Sequence, residues 1–188
     1  MNSRIRDWSK RVFYDPEPVL RALRELETSI SGHVIPEVVL RLRTNSLKFE
    51  REARDAALFA HGMAVVCGVK VFVAPGETED CDFLTKARVG DTDHFTCVQL
   101  KELAPEDLSP IQSLDQLIVN LQRLPQSDAI LAVHLNRRTT IPFEQLAAAR
   151  APFAEIWFFW ATDPKLEEWR LFGDVAGSPR LYEFRYPT

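Results

Sequence analysis

The chain has few cysteines and histidines, no long apolar run and no surplus of positive charge, and each shortage excludes something. Three cysteines, Cys67, Cys81 and Cys97, leave one unpaired in any scheme and show no C-x-x-C spacing. That argues against a disulfide framework and a zinc ribbon, and the three are read as buried thiols on strands. The four histidines, His33, His61, His94 and His134, are too scattered for a histidine metal cluster. The longest apolar stretches, residues 129–135 and 151–161, fall well short of the roughly 20 residues a membrane helix needs. The N-terminus, with Arg4, Arg6, Asp7, Lys10 and Arg11 close together, has no apolar core of a secretory signal. The expectation is a cytoplasmic protein with no membrane partner. No G-x-x-x-x-G-K-[ST], G-x-G-x-x-G or G-x-S-x-G sequence is present, which weakens nucleotide-binding and serine-hydrolase readings. A net charge of −4 argues mildly against a nucleic-acid partner, although Arg41 with Arg43 and Arg137 with Arg138 form local pairs able to meet a phosphate backbone.

What is present is an ordinary globular composition, 46% apolar and 27% charged over 188 residues, enough to bury a core. The prolines and glycines are spread along the chain without a repeat or linker, so a single compact unit is expected. Asp15-Pro-Glu-Pro sets a cap before a proline at the first helical position, and Val19, Leu20, Leu23 and Leu26 follow at helical spacing, predicting a helix to about Ser31. A second short helix is expected over residues 35–42. Together these make an N-terminal helical extension, residues 1–45.

From Ser46 onward Phe49, Ala53, Ala56, Ala57 and Ala60 form a small-residue stripe at i, i+4, i+7 spacing, a helix suited to packing close on a sheet. It is expected to end at His61-Gly62, with a β-branched strand over residues 64–73 and a turn at Pro75-Gly76. Residues 81–87 and 95–103 read as paired antiparallel strands, residues 111–121 as an amphipathic helix, and residues 129–135 as a short buried strand. A third helix over residues 143–150, strands over 155–161 and 169–172, and an edge strand over 181–186 complete the reading. The run Trp157-Phe158-Phe159-Trp160 must place side chains on both faces, so it reads as core rather than a base-stacking platform.

Three features then stand in order: acids on the helix that follows Ser46, Asp82 on the second strand, and Gln99-Leu100-Lys101 on the third. Gln99 and Lys101 are two apart and share a strand face. Asp82 lies on the neighbouring strand, and its carboxylate can sit beside Gln99 if the register allows. Carboxylate, amide and backbone carbonyl oxygens suit Mg²⁺ or Mn²⁺, which polarises a phosphodiester and lowers the pKa of a bound water. Lys101 would orient or deprotonate that water.

This arrangement resembles the PD-(D/E)XK (restriction-endonuclease-like) nuclease superfamily, whose shared fold is a helix, a three-strand meander, a second helix and a fourth strand. The resemblance covers residues 46–136. Phe49-Glu50-Arg51-Glu52-Ala53, with His61-Gly62-Met63-Ala64-Val65-Val66, is similar to the opening of archaeal Holliday-junction resolvases, where the first acid of the E-R-E run is a metal ligand. The resemblance therefore implies Glu50, Asp82, Gln99 and Lys101 as the catalytic set, with metal on Glu50, Asp82, Gln99 and the carbonyl of Leu100. Gln99 replaces the usual acid, making this a Q-x-K variant, and Glu52, Asp80 and Glu102 stand as alternate acids.

The fold expected is therefore α/β, a restriction-endonuclease-like mixed central sheet flanked by helices over residues 46–188. The function expected is a metal-dependent endonuclease acting on nucleic acid, DNA before RNA, with a homodimer as the assembly to consider. The alternative is a catalytically inactive nuclease-fold binding or assembly module, motivated by Gln99, the acidic total and the aromatic-rich C-terminal third.

Overall fold

A computed structural model describes residues 3–31, 47–78, 81–109, 113–123, 126–141, 152–175 and 177–188. The chain is an α/β protein built on one mixed sheet of seven strands, whose spatial order equals their order in sequence. The described elements are α1 (Ser3–Trp8), α2 (Pro16–Ser31), α3 (Lys48–Cys67), β1 (Val71–Thr78), β2 (Cys81–Val89), β3 (Thr92–Leu103), α4 (Leu114–Gln122), β4 (Ile130–Leu135), β5 (Glu155–Ala161), β6 (Glu168–Gly173) and β7 (Arg180–Arg185). The first three strands form an antiparallel meander, β3, β4 and β5 run parallel, and β5, β6 and β7 form a second antiparallel meander. The helices expected over residues 35–42 and 143–150 lie outside the described residues.

Local sequence chemistry accounts for the helix starts. Asp15 accepts from the Glu17 backbone N–H at 3.1 Å, so α2 begins at Pro16 as its cap and proline dictate. Ser113 does the same for α4, accepting from the Gln116 N–H. One boundary differs from expectation: α3 runs through His61-Gly62 to Cys67, and the strand after it begins only at Val71. Gly62 is a packing site rather than a stop, because a Cβ there would lie 2.9 Å from a ring carbon of Phe184. The helix ends instead at Gly68, whose φ of 66° is the left-handed cap glycine adopts without strain. Val66, β-branched and strand-like in isolation, packs against the core from within the helix, while Val65 beside it is exposed. Likewise Pro75-Gly76 is no turn; β1 continues through it with a register shift against β2 between Pro75 and Thr78.

The cysteines also depart from expectation. Cys81 and Cys97 form a disulfide between β2 and β3, and Cys67 is exposed at the end of α3. The odd count and the missing C-x-x-C motif carried no information about a pair 16 residues apart, which meets where β2 leaves its ladder with β3.

The sheet divides the core in two. On one face α3 lies against it through Ala56, Ala57 and Ala60, with Phe59, Phe83, Val98, Ala132, Trp157, Phe159 and Leu171 around them. On the other, Leu114, Leu117, Ile118 and Leu121 of α4 cover Leu84, Leu131, Val133, Leu135 and Phe158. The Trp157–Trp160 run serves both faces as expected, with Trp157 and Phe159 on the α3 side and Phe158 and Trp160 on the α4 side.

Tyr186 fastens the C-terminal end to α2. Its hydroxyl donates to the Leu20 carbonyl at 2.7 Å, and the ring is buried beneath the Arg24 guanidinium. Burial, reinforced by Glu27, pushes this phenol up to about 12 in spite of Arg24 and Arg54. The folded value lies above that of the unfolded chain, so the contribution is complete below about pH 10 and is lost as pH rises towards 12. Urea denaturation should show the wild type losing about 2 kcal/mol more than Tyr186→Phe between pH 9 and pH 12. A gap between the two proteins that stays constant across that range would show that the phenol is not held neutral by the fold.

Candidate functional site

The predicted constellation centres on the place where β2 leaves β3. Main-chain pairing runs from Val89 opposite Thr92 to Phe83 opposite Val98. One residue further on, Asp82 replaces the missing ladder partner with its side chain, and its Oδ2 accepts the Leu100 backbone N–H at 2.6 Å. A carboxylate here satisfies a strand donor that the departing β2 backbone no longer reaches, which explains an acid between Cys81 and Phe83. Asp82 also lines a cavity of about 260 Å³ with Phe49 and Glu52 of α3, Pro75 and Gly76 of β1, and Leu100.

Gln99 and Lys101 go the other way. In the parallel pairing of β3 with β4, Gln99 faces Leu131 and Lys101 faces Val133, both in the core beneath α4. Val98 and Leu100, the alternating residues, belong to the α3 side. Gln99 and Lys101 therefore share a face, as their spacing requires, but it is the face away from α3.

Glu50 sits in the first turn of α3, and its Oε2 is buried without a hydrogen-bond partner among the described residues. It does not line the cavity with Asp82; the alternate acid Glu52 does, while keeping Lys48 at 3.4 Å as an exposed ion-pair partner. Glu102 lies opposite His134 and accepts from Asn136 Nδ2 at 3.0 Å. Asp80 and Glu79 lie outside the described residues. The structure thus brings Asp82 to Leu100, and Glu52 to the same cavity, but does not bring Glu50, Gln99 and Lys101 to them. Helical and strand periodicities fix which residues share a face; they do not fix which face of the sheet a helix covers. Among the described residues no group of three or more His, Cys, Asp or Glu side chains is placed to hold a metal ion.

The polar groups most deeply buried lie elsewhere. Asp55 of α3, 2% exposed, meets His134 of β4, 4% exposed, with Oδ2 at 3.2 Å from Nδ1. Arg54 lies 3.6 Å from the other Asp55 oxygen and 3.0 Å from Glu27 of α2. Its guanidinium is held above its ordinary pKa because the attraction of Asp55 and Glu27 outweighs the opposing cost of burial. No motif in the sequence marks Arg54 or Asp55, and His134 stands there only as one of four scattered histidines. A clue was available in position 55, which lies next to the buried alanine stripe.

In comparisons with protein-family models, curated proteins and solved structures, none matches this chain. The class that the coordinates define is an α/β protein with a mixed seven-stranded sheet between helical layers. No helix among the described residues is long and apolar enough to cross a membrane.

Proposed function

We propose that the chain is a binding module on a nuclease-like framework, without hydrolytic chemistry of its own, and that its partner is nucleic acid. The framework reading is supported by the run from α3 to β4, a helix, an antiparallel meander, a helix and a parallel fourth strand, the order that the PD-(D/E)XK resemblance implies. The observation that carries the loss of chemistry is the alternation along β3. It sets Lys101 and Gln99 against Val133 and Leu131, across the sheet from the acids of α3. An ammonium group on that face cannot steer a water held between Asp82 and α3, and one oxygen of Asp82 is committed to the Leu100 N–H. The residues Glu50, Asp82, Gln99 and Leu100 therefore do not fit a single Mg²⁺ or Mn²⁺ ion, whose oxygen ligands must surround a common point within a few ångströms.

Metal-dependent endonuclease activity is the second reading, favoured by the cavity that Asp82, Glu52 and Leu100 share and by the orphaned Glu50 oxygen. Two measurements separate them. Calorimetric titration with Mn²⁺ is expected to give no saturable heat, and supercoiled plasmid incubated with protein and Mg²⁺ or Mn²⁺ is expected to stay intact. Saturable binding abolished by Asp82→Ala, together with nicking abolished by Lys101→Ala, would establish the enzyme instead.

A further inference from the structure

The largest cavity among those described, about 540 Å³, opens at the other end of the parallel strands. Its floor is the C-terminal end of β4, from His134 through Thr139, and the end of β5, from Trp160 through Asp163. Ligands of α/β proteins bind outside the carboxyl ends of parallel strands, where loops diverge and backbone groups are unpaired. The volume suits a small organic ligand.

The charge of this cleft opposes that of the protein. Arg24, Arg54, Arg137, Arg138 and Arg170 line it against two carboxylates, Glu27 and Asp163, a surplus of three positive charges in a chain whose net charge is −4. Asp55 offsets Arg54 and Glu183 offsets Arg170 from just outside the lining, so among the described residues Arg137 and Arg138 are the cleft's guanidinium groups with no carboxylate against them. Arg137 is pinned by two carbonyls, its Nε donating to Ala104 at 2.6 Å and its terminal nitrogen to Ser109 at 3.0 Å, bonds that orient a guanidinium without neutralising it. Arg24 is oriented likewise by the carbonyls of Lys165 and Leu166, and shares Glu27 with Arg54. Asp163 turns its oxygens towards the backbone N–H groups of Lys165, Glu167 and Glu168. Arg170 is paired with Glu183, while Arg138 is exposed beside the pinned Arg137. Pre-oriented guanidinium groups in a concave, partly apolar site recognise oxyanions by charge-assisted, often bidentate, hydrogen bonds.

We propose that this cleft is a binding site for a phosphate monoester of the nucleotide class, with Arg137 and Arg138 on the phosphate and Trp160 and Trp169 supplying the aromatic walls. A monoester carries close to two negative charges at neutral pH, which matches the two guanidinium groups of Arg137 and Arg138 better than the single charge of a phosphodiester. The proposal is independent of the framework reading above, because no residue of the β2–β3 junction contributes to the cleft.

The test is calorimetric titration of the full chain with AMP, with adenosine, and with a short single-stranded oligonucleotide carrying either a 5′-phosphate or a 5′-hydroxyl. AMP is expected to bind saturably and adenosine not to. Arg138→Glu, on the surface, should weaken AMP binding at least about tenfold, the loss of one charge-assisted contact. Arg137→Gln should do the same, and an unchanged melting temperature of the Arg138 variant shows that the loss is local. Binding of the 5′-phosphorylated oligonucleotide would identify a nucleic-acid end as the natural source of the phosphate, and its failure beside AMP binding a free nucleotide; both uphold the site. No saturable binding of AMP, equal binding of adenosine or of the 5′-hydroxyl oligonucleotide, or indifference to Arg138→Glu would overturn it.

Discussion

Replacing Asp55 by alanine is expected to destabilise the fold by about 3–5 kcal/mol, the cost of breaking a buried polar pair from one side. The carboxylate is 2% exposed and sits between His134 and Arg54. Removing it leaves the His134 Nδ1 without its acceptor and Arg54 with Glu27 alone, two polar groups that are almost wholly enclosed. Asp55→Asn keeps the shape and an acceptor oxygen, so it should recover part of that loss. The readout is urea denaturation of the three proteins at neutral pH. A loss below about 1 kcal/mol for the alanine variant would mean that solvent reaches the pair and that burial does not set its energy.

The same pair shows what was legible in the sequence and what was not. Helix and strand existence followed from local chemistry: the Asp15-Pro16 start of α2, the helical spacing of Leu114, Leu117, Ile118 and Leu121 in α4, and the continuous apolar run of β5 all fell where capping and periodicity place them. What escaped was decided between elements. Gly62 inside α3 packs against Phe184, 122 positions later, and the Cys81–Cys97 disulfide closes where β2 leaves its ladder with β3. The arrangement of the candidate site is decided between elements too. Gln99 and Lys101 were rightly placed on one face, but only the pairing of β3 with β4 determines that the face belongs to α4. Arg137-Arg138 is visible in the sequence as a basic pair; the cleft it lines, just past a buried strand end, is set by the fold. Asp55, which no motif marks, is the most buried carboxylate among the described residues.

Phe159→Ala should cost a similar amount, about 3–5 kcal/mol, through the cavity left when a fully enclosed ring is deleted. Phe159 is 0% exposed and touches both the apolar and the polar halves of this core. Its ring lies 6.0 Å from that of Phe59 on α3 and 6.3 Å from that of Trp169 on β6, and it stacks on His134 at 4.8 Å with 12° between the planes. The ring therefore holds the imidazole in the orientation that presents Nδ1 to Asp55, so the two substitutions act on one shared arrangement. In a double-mutant cycle the combined loss should fall short of the sum by at least about 1 kcal/mol, because each change already releases His134. Phe159→Leu, which refills most of the space, should cost clearly less than the alanine variant. Strict additivity of Asp55→Ala and Phe159→Ala would show that the stack and the ion pair are independent, and that the histidine is positioned by β4 alone.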